Sequence, residues 1–138
     1  MRKRHQRRAP RCRSGAVIVE FALVAPLAFL IIFGSVEFAR LNMLLNSMEN
    51  AAYEGARRGI VPGATVANVE DAAEQILQAV GAVNATVSVT PAVITNQTPD
   101  LTVTIHIPLS ANAWIAPHFT GGRVLSRACT LNRETTSF

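Results

Sequence analysis

Glu20 is the residue whose setting most demands a chemical explanation. It lies in Gly15-Ala16-Val17-Ile18-Val19-Glu20-Phe21, near the front of an apolar run that continues to Val36. A carboxylate in hydrocarbon persists only with a cationic partner or by reaching the headgroup layer with its side chain. The remaining residues able to do chemistry are scattered. His5 falls in a basic leader, His106 on the polar side of a candidate strand, and His118 in a candidate loop. Asp100 is the sole acid between Glu74 and Glu134, which leaves few candidates for an acid/base pair. Glu70, Asp71 and Glu74 cluster without a His or Cys beside them, the pattern of a solvated helix face rather than a metal site. No HExxH, CxxC, GxSxG or phosphate-cradling glycine loop occurs. The pattern predicts no enzyme, no metal, no cofactor and no small-molecule substrate.

The element that must position Glu20 is the apolar run itself. Ala16 to Val36 as a helix is about 31 Å long, matching a hydrocarbon core of about 30 Å. Thirteen of its residues are Val, Ile, Leu or Phe. Together they favour insertion by about 4–8 kcal/mol, against about 2.5–3.5 kcal/mol for a charge at the bilayer centre and less for one near the end. The segment is expected to insert despite its acid. Seven of the thirteen basic residues precede Gly15, from Arg2 to Arg13, with no acid among them. Next to a span, that block predicts a cytoplasmic N-terminus by the positive-inside rule and makes a nucleic-acid partner unnecessary. Cys12 and Cys129 then fall on opposite sides of the membrane and cannot pair with each other. The run is longer than a secretory signal core, and Glu37 spoils a small-x-small site ending at Ala39. Cleavage, if any, falls before the run, at Gly15.

Gly15, Glu20-Phe21-Ala22-Leu23, Pro26, Gly34, Glu37 and Ala51-Ala52-Tyr53-Glu54-Gly55-Ala56-Arg57 together resemble the TadE-like pseudopilins of the tight-adherence (Flp pilus) system. The start, Gly-x4-Glu-Phe behind a basic leader, is similar to the processing site of type IV prepilins. The resemblance covers about a third of the chain. It implies cleavage after Gly15 by a prepilin peptidase, with Ala16 as the new N-terminus. It also implies that Glu20 meets the terminal amine of a neighbouring pilin or pseudopilin subunit. The implied location is the bacterial inner membrane, with the C-terminal part on the extracytoplasmic side. The other open reading is an uncleaved signal-anchored envelope protein whose body binds a ligand or partner.

Beyond the span, Phe38, Leu41, Leu45, Met48, Ala52, Gly55 and Gly59 recur at spacings of three and four, so the helix is expected to continue to Gly59 before Pro62-Gly63. This stripe, with Pro26 and Gly34 on the span, either packs subunits together or packs on the chain's own body. Glu37 with Arg40, and Glu54 with Arg58, are expected to pair on the helix surface. Thr65 caps a second helix through Val80, with Val66, Val69, Ala73, Ile76, Leu77 and Val80 on its apolar face. The period then changes to two. Val83–Val89, Leu101–Leu109 and Arg123–Asn132 are the candidate strands, the first two antiparallel. Trp114 and Phe119 belong to a loop that either covers the open end of the sheet or meets a partner or the bilayer.

The expected architecture is α+β: a leader (1–15), a transmembrane helix (16–36), its amphipathic continuation (37–60) and an extracytoplasmic domain (61–138) with one helix and about three antiparallel strands.

Overall fold

The computed structural model describes residues 14–95, 97–113 and 122–133. The basic leader, the loop with Trp114, His118 and Phe119, and the last five residues lie outside the described residues. The elements run α1 (Ser14–Gly59), α2 (Val66–Ala79), β1 (Thr86–Thr90), β2 (Asp100–Pro108), α3 (Leu109–Asn112) and β3 (Val124–Asn132). The chain divides into two compact units, one ending at Ser35 and the other starting at Val36. The architecture is α+β, as the change of period predicts.

In the first unit α1 is a single apolar helix that continues through Pro26. Proline has no N–H to give the carbonyl four residues back. Every residue from Gly15 to Ser35 is exposed except the half-buried Ala25. Phe29 and Phe33, one turn apart, stack with centroids 6.2 Å apart.

The second unit is a two-layer fold. The three strands form an antiparallel sheet in the order β1-β2-β3, with Val87 opposite Ile105 and Ile105 opposite Arg127. Alternation puts Leu101, Val103, Ile105 and Ile107 on one face, all buried. Val87, Val89, Leu125, Cys129 and Leu131 flank them, half-buried. This face meets Leu44, Met48, Ala51 and Ala52 of α1 and Ala73 and Leu77 of α2 in one cluster. Ala56, Val69, Leu101 and Val103 form a second. The opposite face carries Thr86, Ser88, Thr90, Thr104, Ser126 and Thr130, and Thr102 and Thr130 share a hydroxyl hydrogen bond of 2.8 Å.

Local chemistry sets the ends of α2. Thr65 Oγ1 accepts from Asn68 N–H at 3.3 Å, and Asn68 Oδ1 accepts from Thr65 N–H at 3.1 Å, closing a capping box. At the other end Ala82 N–H reaches Leu77 O and Gly81 N–H reaches Gln78 O, with Gly81 at φ +69°. That left-handed residue is what a Schellman ending requires.

Three local expectations need correction. β1 begins at Thr86 rather than Val83, because Asn84 turns the chain at φ +54° and the backbone of Val83 is bonded elsewhere. The stretch after β2 is not all loop, since residues 109–112 form a helical turn. Glu37 is not on the surface: it is 8% exposed, and half-buried Arg40 gives its Nε–H to the carbonyl of Asn112 at 3.0 Å. The pair at Glu54 is present, with Arg58 at 3.8 Å and Arg57 at 3.6 Å.

Candidate functional site

The residues singled out by sequence fall into two groups, one in each unit. Gly15, Ala16, Glu20 and Phe21 lie in the first turns of α1, each of them exposed. Nothing stands within 4 Å of where a side chain on Gly15 would start. Among the described residues Glu20 has no hydrogen-bond or ion-pair partner within the chain. An acid in an apolar helix persists in hydrocarbon only with a cationic partner or by reaching the headgroup layer. Gly34 is equally open, and Pro26 is exposed with it.

The second group is the small-residue seam of α1. Ser47, Met48, Ala51, Ala52, Gly55, Ala56 and Gly59 are all buried, whereas Leu41 and Leu45 are half-buried and Phe38 is 69% exposed. The body therefore covers a face centred between Leu44, Met48 and Ala52, and Phe38 lies outside it. Close approach of α2 explains the small residues. A Cβ on Gly55 would stand 3.2 Å from Val69 O and 3.4 Å from Ala73 Cβ. One on Gly59 would overlap Leu101 Cδ2 and come within 2.8 Å of Val69 Cγ2. Ala52, Gly55 and Gly59 thus serve the crossing of α1 over α2 and β2. The same side chains are not available to a second chain.

Asn112 is a functional residue of the fold that pattern reading missed. Its Oδ1 accepts from Val83 N–H at 2.8 Å, and its Nδ2 donates to Val83 O at 2.7 Å and Pro108 O at 2.9 Å. With Arg40 on its carbonyl, Asn112 ties α1, the α2–β1 connection and the end of β2 together. Pro108 is four residues away, but Val83 and Arg40 lie 29 and 72 residues away in sequence, so no local signal announces them. At the far end of β3, Arg133 donates to Thr95 O at 2.9 Å and Pro99 O receives its N–H, holding the β1–β2 connection. Arg127 meets Glu49 of α1 at 3.0 Å on the rim of the helix–sheet interface.

A cleft of about 450 Å³ lies at the turn between α1 and α2, lined by Arg58, Pro62, Asn68, Asp71 and Gln75 among others. It is open, and the guanidinium of Arg58 already faces Glu54. His106 stands on the hydroxyl face of the sheet opposite Thr86 and Ser126. Among the described residues no three His, Cys, Asp or Glu side chains converge as a metal site would require.

These features define a class: an α+β body joined through one helix to a segment with the length and composition of a single-pass membrane anchor. Residues 15–57 match the family model of TadE-like proteins, a structural, non-enzymatic kind associated with the Tad pilus. The matched region takes in the Gly15 to Phe21 start and the Ala51 to Arg57 seam, the residues on which the sequence resemblance stands. No curated protein matches the chain, and no solved structure does.

Proposed function

We propose that the chain is a pseudopilin-like minor subunit of a tight-adherence (Flp-type) pilus or a related secretion system. It is cut after Gly15 by a prepilin peptidase and works by assembly rather than by turnover. It sits in the bacterial inner membrane with its N-terminus cytoplasmic and its α+β body extracytoplasmic. The observation that carries this reading is the Gly15-x4-Glu20-Phe21 start on an uninterrupted, exposed apolar helix, inside the segment that matches TadE-like proteins.

The chemistry follows from the geometry of a helix end. Removal of the leader leaves the ammonium of Ala16 one helical turn before Glu20. A neighbouring subunit's ammonium at the same depth neutralises the carboxylate, so each subunit supplies one charge and satisfies another. The pairing favours a fixed stagger between adjacent helices, because any other leaves a charge unpaired in hydrocarbon.

Two substitutions separate the steps. Gly15→Leu is expected to leave the leader uncut, since the residue before the scissile bond must be small. Glu20→Ala is expected to mature normally and fail to assemble. Immunoblots of membrane fractions read the first, and recovery of the subunit in sheared filaments or crosslinked complexes reads the second. Full maturation of Gly15→Leu contradicts the processing claim. Normal assembly of Glu20→Ala contradicts the pairing claim.

A further inference from the structure

We propose that the open edge of β3 is a docking site for an extended, acid-bearing segment of a different protein, which adds to the sheet as a fourth strand; this goes beyond the assembly role above and does not depend on cleavage of the leader. β3 is an outer strand of the sheet, whose order is β1-β2-β3. Leu109 N–H bonds Arg123 O at one end of the β2–β3 ladder, and Arg133 N–H bonds Pro99 O at the other. Hydrogen-bonded positions alternate along an antiparallel pair, so the odd-numbered residues of β3 bond to β2. Val124, Ser126, Ala128, Thr130 and Asn132 then turn their N–H and C=O groups to the open side. Among the described residues only Ser126 O has a partner there, the guanidinium of Arg127 at 3.1 Å.

An exposed edge ordinarily carries a guard against foreign strands: shortness, a proline, a bulge or an outward charge. β1 has two of these. It has five residues, and the next position whose N–H would face outward is Pro91. β3 has none. Its nine residues contain no proline, glycine or lysine and pair with β2 without a bulge. Its one charge, Arg127, is drawn onto Glu49 of α1 at 3.0 Å. On the helix side of the sheet Leu125, Cys129 and Leu131 are left half-buried, whereas Leu101, Val103, Ile105 and Ile107 of β2 are at most 2% exposed. A fourth strand with apolar residues on that side completes their cover.

Charge and direction identify the occupant. From Leu101 to Arg133 the chain contains no acid, while Arg123, Arg127 and Arg133 lie on β3 or beside its ends. The Arg123 side chain is exposed and has no partner among the described residues. A strand with acids at its ends is therefore attracted, and a basic one is repelled. A second copy of this chain fits poorly. Two β3 edges joined by a two-fold axis run antiparallel and reverse α1, whereas copies anchored through the apolar segment enter one membrane in one direction. Setting β3 against β1 of a second copy keeps α1 parallel, but within β1 only Val87 and Val89 turn backbone groups outward.

A peptide probe tests the edge on the full-length chain in detergent micelles. It has nine residues to match β3, alternating valine and threonine with a glutamate at each end. Binding is read by fluorescence anisotropy and by amide hydrogen exchange, against empty micelles. The peptide is expected to bind and to slow exchange at Ser126, Ala128 and Thr130 but not at Val87 or Val89. Ala128→Pro removes an outward N–H and leaves the β2 ladder whole, so it is expected to weaken binding about tenfold or more with an unchanged circular dichroism spectrum. Thr130→Pro is a second variant of the same kind, and Val89→Pro on the β1 edge is expected to bind as the unsubstituted chain does. Lysines in place of the two glutamates are expected to weaken binding by about tenfold. Where a proline variant does not fold, the exchange pattern decides. No binding, or undiminished binding to a folded Ala128→Pro or Thr130→Pro chain, overturns the proposal. So does slow exchange at Ala128 without peptide: independent of concentration, it means that the chain covers its own edge, and growing with concentration, that a second copy does. None of these outcomes alters the reading of Gly15, which the mature N-terminus tests separately.

Discussion

The two stretches of α1 solve opposite solvation problems with one secondary structure. From Gly15 to Ser35 the helix buries only part of Ala25 and exposes Val, Ile, Leu and Phe all round. From Glu37 to Gly59 it buries one face completely and presents amides and charges on the other. The first stretch has the solvation of a helix that takes lipid or other helices as its surroundings, the second that of a helix completing a small water-soluble core. The contrast teaches that a glycine or an acid means different things on either side of Val36. Gly34 has open space around it and Gly59 has none. Among the described residues Glu20 has no partner, whereas Glu37 is buried with one.

Substitutions matched across the boundary sharpen this contrast or break it. The largest effect is expected from Met48→Ala, which empties a fully buried site and should cost about 2–5 kcal/mol. Leu30→Ala, on the exposed run, should leave the unfolding midpoint of the body unchanged. Urea titration of the full chain in detergent, followed by circular dichroism, compares the two. A similar loss from both would mean that the run packs on the body.

Gly59→Ala is expected to cost about 1–3 kcal/mol, because the new methyl meets two buried side chains, Leu101 and Val69. Gly34→Ala should cost nothing measurable in the same titration. Asn112→Ala should also cost about 1–3 kcal/mol by stripping three hydrogen bonds from one buried amide. Amide hydrogen exchange at Val83 is expected to rise in that variant, and unchanged protection would contradict the role given to Asn112. The smallest effect belongs to Arg127→Ala. Its pair with Glu49 is partly exposed on both sides, and a double-mutant cycle should give about 0.2–1 kcal/mol.

Periodic features were the readable ones. Thr65 and Gly81 bracket α2, and the apolar alternation from Leu101 to Ile107 marks the central strand; both signals are local and repeat several times. The seam of α1 was harder to place because large apolar residues draw attention to Phe38 and Leu41. Its contact with α2 is made by Ala51, Gly55, Ala56 and Gly59, whose fitness lies in having little side chain. The bonds of Asn112 to Val83 and of Arg40 to Asn112 join residues 29 and 72 positions apart, so no window of residues contains them. At the candidate site, the Gly15 to Phe21 start, which lies within the segment that matches TadE-like proteins, could be picked out because its pattern is contiguous.

The mature N-terminus tests the central claim most directly. Intact-mass measurement and N-terminal sequencing of the protein purified from its native membrane are expected to give a chain starting at Ala16. That result leaves an ammonium one turn from Glu20. A chain starting at Met1 in cells that contain an active prepilin peptidase would contradict the pseudopilin reading, remove the ammonium and point to an uncleaved anchored protein.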